Sequence, residues 1–264
     1  MGVHALYTAA SGMDTQLRNI DVIANNVANV NTEGFRRDRV NFADHFYREQ
    51  ALAGAAGQGP GAQPSGTYVG HGARVVSTEK SFTPGGITIT DNQTHIAIQG
   101  PGNLFFQVED AAGNTAYTRA GNFLLSNQGE FVTPSGQSLV GVAGVPQEAS
   151  AIKVMIDGVI EARVGIEDPE QVGQVQLARF VNPAGLRPGG DNLYYATPAA
   201  GQAELVTPGT PGNGSLLGGA IEGSNVNAIT ELVKLIQGQR AYEINSNVVR
   251  AADEALQIAN NLRG

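Results

Sequence analysis

Apolar positions along the chain fall into distinct textures. Near the start, Leu6, Ala10, Met13, Leu17, Ile20, Ala24 and Val27 follow one another at alternating intervals of four and three residues. That spacing marks one face of an α-helix and a seven-residue repeat of coiled-coil width. Asp14, Gln16, Arg18, Asn19 and Asp21 flank it. The pattern predicts a helix over residues 3–31. Asn25, Asn26, Asn29 and Asn31 crowd its end and Gly34 follows. Asn tolerates left-handed backbone and Gly prefers it, so the helix should stop between Asn29 and Gly34.

The end of the chain repeats the rhythm. Ala241, Ile244, Val248, Ala251, Ala255, Ile258 and Leu262 again step by three and four, and Leu235, Tyr242, Val249 and Leu256 form a neighbouring column at every seventh residue. Lys234 and Gln237 interrupt the first column upstream, which shifts burial there to Ile229, Leu232, Val233 and Ile236. A helix from Asn227 to Leu262 runs about 54 Å at ~1.5 Å per residue. Gly238 sits inside it at a cost of about 1 kcal/mol relative to Ala. Periodicity offers no reason for it beyond a close helix–helix approach.

Between the helices the period drops to two. Ile87/Ile89 and Ile96/Ile98 alternate with polar residues, and short apolar runs follow at 104–108, 116–118, 123–125, 139–142, 152–156, 159–164, 175–180 and 193–196. Turn residues separate them, and Asp157-Gly158 between two β-branched runs is the strongest hairpin signal. Residues 48–66 are rich in Gly, Ala and Pro without any period, which reads as a linker. The expected fold is α+β: a discontinuous helical coiled-coil domain from residues 1–35 and 222–264, a linker or extended segment over 36–75, and a mostly antiparallel β-domain over 76–221. Pairing of the two terminal helices is the economical way to cover both stripes; separate packing of each on the β-domain is the alternative.

Composition narrows the function. The 264 residues carry a net charge of −8, no Cys and only 15% charged side chains. An acidic chain lacks the basic face that phosphate neutralisation needs, so nucleic acid is not expected as a partner. The absence of Cys removes disulfides, thiolate metal sites and Cys nucleophiles. No apolar run approaches the ~18 residues of a membrane span, so no direct membrane insertion is expected. The start of the chain lacks the basic-then-apolar pattern of a cleaved secretory signal. Catalytic motifs are missing: no G-x-S-x-G, no complete phosphate-binding glycine loop, and His4, His45, His71 and His95 scattered without ligand spacing. No enzymatic activity, metal or cofactor is expected. A carbohydrate-binding or hydrolytic β-module with a helical anchor stays open, because distant carboxylates can be brought together by folding.

Several stretches carry a resemblance. Ile20–Arg37 reads IDVIANNVANVNTEGFRR and Ile221–Ser246 reads IEGSNVNAITELVKLIQGQRAYEINS; AYTRAGNF, FVNPAGL and DNLY lie between. Together they resemble the flagellar basal-body rod and hook family over essentially the entire chain. Asn25, Asn26, Asn29, Thr32, Gly34 and Phe35 match its N-terminal signature, and Gln239, Arg240 and Asn245 its C-terminal helix. Within the family the residues following Gln239 are most similar to the distal-rod branch, with proximal-rod or hook-like membership as the nearer alternative. The resemblance implies a structural subunit that polymerises into a helical tube and transmits torque from motor to hook. It implies copies of itself, proximal-rod and hook proteins, rod-surrounding ring proteins and the flagellar type III export apparatus as partners. It places the chain in a rod spanning the periplasm, reached by export without a cleaved signal. The two apolar helical stripes, from Leu6 to Val27 and from Leu235 to Leu262, are then the assembly residues.

Overall fold

A computed structural model of the protein describes residues 2–51, 66–110, 113–165 and 168–261. These divide into two compact units: Met1–Val27 with Asp38–Glu79 and Ala228–Gly264, and Ala28–Arg37 with Lys80–Asn227. The segment Ala28–Arg37 thus groups with the β unit, and most of 36–75 with the helical one.

The helical unit holds α1 (Gly2–Ala28) and α2 (Ala228–Asn261). α1 stops just before Asn29, where the backbone turns through hydrogen bonds from Thr32 N to Asn29 O and from Phe35 N to Thr32 O. The two helices meet antiparallel: Gly12 faces Asn245, Gly238 faces Ile20, and Asn26 bonds Glu231. Among the described residues four strands join them, β1 (Asp38–Asp44), β2 (Tyr47–Ala51), β3 (Thr67–Gly70) and β4 (Ala73–Lys80). β1 pairs with β4, and β2 pairs antiparallel with β3 in the register Tyr47↔Gly70 and Glu49↔Tyr68. Most of the Gly/Ala/Pro-rich segment lies outside the described residues.

The β unit is built on a nine-stranded antiparallel sheet. Its central strand, Leu104–Glu109, pairs with Thr115–Thr118, Ser138–Leu139 and Leu177–Arg179. Successive strand residues point to opposite faces. Phe106 accordingly enters a core with Ile96, Phe123, Phe131, Ile160 and Leu216, while Phe105 enters an aromatic cluster with Tyr117, Phe180 and Tyr194. Both faces are covered, which is why Leu104-Phe105-Phe106 reads as an unbroken apolar run. Edge-to-face contacts order the aromatic cluster, with Tyr117 and Phe180 centroids 4.8 Å apart.

The hairpin at Asp157-Gly158 forms as its residues predict. Ala149–Val154 pairs antiparallel with Val159–Val164, and Gly158 takes φ +85°. Other strands are shorter than the apolar runs. The run at 139–142 is strand only at Ser138–Leu139, because Gly141 turns the chain at φ +95° and Val142 makes a lone bridge to Gly173.

Candidate functional site

The sequence-derived assembly residues divide by face. On α1, Leu6, Met13, Ile20 and Val27 are half-buried, whereas Ala10, Leu17 and Ala24 are exposed. The most covered positions are instead Ala9, Thr15, Ile23 and Asn26. On α2, Leu235, Ala241, Tyr242, Asn245 and Val249 are half-buried, while Ile244, Val248, Ala251, Ala255, Leu256 and Ile258 face out. Leu262 lies outside the described residues. The exposed column is strongly apolar: Ile229, Ile244 and Ile258 are 75%, 63% and 61% exposed. A contiguous apolar face of this kind on a helix marks an interaction surface.

The signature residues serve a second purpose. Asn26 is buried at the end of α1, where its Oδ1 accepts from Asp38 N at 2.8 Å and its Nδ2 donates to Asp38 O at 2.9 Å. It thus closes the chain on itself as a strand partner would. Asn25 is exposed; Asn29 and Thr32 are half-buried and bonded to one another through Thr32 Oγ1 and Asn29 Oδ1. Gly34 takes φ +69°, and a Cβ there would stand 2.5 Å from Ala120 N, so no other residue fits. Phe35 is buried under the Lys80 ammonium, 5.1 Å from the ring centroid. Gln239 and Arg240 are exposed on α2.

A centre that periodicity does not reveal lies in the β unit. Glu222 is 1% exposed and meets two guanidiniums that are themselves fully buried, Arg36 and Arg119. Arg36 Nη2 donates to Glu222 Oε1 at 2.7 Å, and Arg119 Nε donates to Oε2 at 2.8 Å. Gly85 N adds a third bond to Oε1 at 2.9 Å. Arg119 Nη1 donates to the carbonyls of Pro101 and Leu104, both at 2.9 Å. Burial lowers the Arg119 pKa, and the neighbouring Glu222 opposes that shift. Close by, Gly34 N donates to Glu222 O at 2.8 Å and Asn225 Oδ1 accepts from Arg37 N at 2.8 Å. Three separate signature stretches thus converge on one carboxylate: GFRR through Arg36, AYTRAGNF through Arg119 and IEGSN through Glu222. The available signal was a lone charge in AYTRAGNF and in IEGSN; in GFRR the neighbouring Arg37 stands beside Arg36.

This arrangement orders backbone; it presents no nucleophile beside a base. A depression of about 370 Å³ in the same unit is lined mostly by amides and hydroxyls, among them Asn29, Thr32, Thr118 and Asn192, together with the Asp191 carboxylate. Among the described residues no three His, Asp or Glu side chains gather as a metal site, and no helix is long and apolar enough to cross a membrane.

Comparison with known proteins agrees with the placement of these motifs. Residues 6–36 match the family described as flagella basal body rod protein, residues 97–162 the flagellar hook protein FlgE/F/G D1 domain, and residues 217–262 the flagellar basal body rod FlgEFG protein C-terminal region. The flagellar basal-body rod protein FlgG of Caulobacter vibrioides is 43% identical, covering 99% of this chain and 100% of its own. FlgG of Buchnera aphidicola from Schizaphis graminum is 42% identical over 97% and 98% of the two chains. The rod protein FlgF of Caulobacter vibrioides is more distant, 29% identical over 97% and 95%. Both helices, the Glu222 centre and the β unit fall within these full-length matches, and the chain belongs to the flagellar basal-body rod protein family, on its FlgG side.

Proposed function

We propose that this protein is a structural subunit of the distal flagellar rod, which polymerises with copies of itself into a helical tubular shaft carrying torque from motor to hook. The full-length similarity to FlgG rod proteins carries this reading. The exposed columns on α1 and α2 supply the means: apolar helix faces left uncovered in one chain are covered by neighbouring copies. A contact that joins different faces of successive subunits and does not close into a ring generates a filament. In this reading α1 and α2 form a coiled coil, ordered fully only on assembly, because a lone chain leaves too much apolar surface in water. That suits export as an unfolded chain through the flagellar type III apparatus without a cleaved signal, followed by assembly in the periplasm. Proximal-rod and hook proteins would adjoin the two ends of the shaft, and ring proteins would surround it. Similarity spanning helices and β unit together favours one structural subunit over a carbohydrate-active module with a helical anchor.

Electron microscopy of purified basal bodies carrying an affinity-labelled version of this chain tests the assignment. Label along the distal shaft is the expected result. Label confined to the hook, or absent from the axis, would overturn it.

A further inference from the structure

The α1–α2 seam is not made of apolar residues alone. A Cβ at Gly12 would stand 3.0 Å from Asn245 Oδ1. One at Gly238 would stand 3.1 Å from Ile20 Cγ1 and 3.9 Å from Asn19 Nδ2. Asn26 Nδ2 donates to Glu231 Oε2 at 3.3 Å, and both residues are 1% exposed. Positions 12, 19 and 26 are seven apart on α1, as are 231, 238 and 245 on α2, so the contacts share one register. We propose that Gly12, Asn19, Asn26, Glu231, Gly238 and Asn245 are positioning residues that fix the register in which the two helices pair.

The apolar columns cannot do this. Leu6, Met13, Ile20 and Val27 repeat every seventh residue, as do Leu235, Tyr242 and Val249. A slip of seven would bring equivalent side chains together again, about 10 Å further along at ~1.5 Å per residue. The polar and glycine positions differ along α2, and on α1 only Asn19 and Asn26 repeat in kind. A slip one way puts Asn245 opposite Asn19, so it loses the notch at Gly12, and carries Glu231 beyond the end of α1 at Ala28. Its buried carboxylate keeps Lys234 Nζ, 2.6 Å away on its own helix, but loses the bond from Asn26. A slip the other way sets Gly12 opposite Gly238, leaving a void, and moves Asn26 opposite residue 224, ahead of the start of α2 at Ala228. Asn26 cannot follow a slip, because both its amide atoms are tied to the Asp38 backbone. Two helix-interior glycines, each costing about 1 kcal/mol in propensity, are thus explained by the notches they provide. A few polar or misfit positions setting alignment at some expense of stability is a known way for helices to exclude wrong pairings.

The chain has no Cys, so engineered pairs report register cleanly. Gln16 lies between positions 12 and 19, and Tyr242 between 238 and 245. In the full-length protein assembled into rods, where both helices are ordered, Gln16→Cys with Tyr242→Cys within one chain reads the observed register, while Gln16→Cys with Val249→Cys or with Leu235→Cys reads slips of seven. Mild oxidation is expected to join the first pair and leave the other two largely reduced. Adding Gly12→Asn, which does not lower helix propensity, is expected to abolish the first cross-link. Adding Asn245→Gly as well moves the notch to the other helix and is expected to restore it. Equal cross-linking of all three pairs, no cross-linking of any, indifference to Gly12→Asn, or failure of the reciprocal change to rescue would each overturn the proposal.

Discussion

The two units dispose of their apolar residues in opposite ways. In the β unit, Phe105, Phe106, Phe123, Phe131 and Phe180 are all essentially inaccessible, and the sheet is covered on both faces. In the helical unit glycine, Asn and Glu positions share the seam with Ile20, and Ile229, Ile236, Ile244 and Ile258 face outward. The first arrangement is that of a domain complete in one chain. The second leaves an apolar helix face uncovered in one chain. A helix pair optimised for its own stability would turn those isoleucines inward; in the reading proposed above, internal contacts set alignment and external ones serve association.

The sharpest way to break this contrast is a charge on the outward column. Val248→Asp or Ala255→Asp is expected to abolish rod assembly while leaving the melting of the β unit unchanged, as followed by near-ultraviolet circular dichroism. Normal rods, or a β unit that melts early, would erase the distinction. The converse is an attack on the β interior. Glu222→Ala leaves two buried guanidiniums without their carboxylate and should cost about 3–5 kcal/mol in chemical denaturation. Phe106→Ala removes a fully buried ring and should cost a comparable ~3–5 kcal/mol. Loss well below 1 kcal/mol from either would show the centre to be dispensable.

A fine test concerns β1 and β4. Asn41 donates to Glu79 Oε2 at 3.0 Å and Arg39 pairs with the same carboxylate, which together hold its pKa below the usual range. A depressed folded value means that the contribution is present at neutral pH and lost as pH falls through that value. An NMR titration should place the Glu79 midpoint below that of a free glutamate, and Asn41→Ala should raise it. The accompanying change in stability is expected to be small, because the pair is solvent-exposed. An unmoved midpoint would remove these contacts from solution.

Legibility in the sequence followed the physics of each element. Both helices stand out because a long stripe at three- and four-residue spacing has few competing explanations. The end of α1 was legible from Asn29 and Gly34, though it falls one residue earlier, at Ala28. The Leu104–Val108 strand was legible from its apolar run, and the Asp157-Gly158 hairpin from its turn chemistry. β1 to β4 were not, because DRVNFAD and ARVVSTEK carry charge and mix exposed with half-buried side chains, so no clean alternation of apolar and polar residues marks them. The Glu222 centre was invisible for a related reason: periodicity ranks residues by hydrophobicity, and buried charges run against that ranking. Gly238 resisted explanation until its neighbour across the seam, Ile20, was known.

The bonds around Glu222 carry a consequence for how such a chain tolerates change. They hold the incoming stretch Gly34–Arg37 beside the outgoing stretch Glu222–Asn225. Both borders of the intervening segment are therefore anchored to each other, independently of its length. A hairpin lengthened at Asp157-Gly158, or an extra turn grafted onto an exposed loop tip, would enlarge the ornament without respacing its borders. Size and surface could then drift between lineages while the frame that must fit its neighbours stays constant.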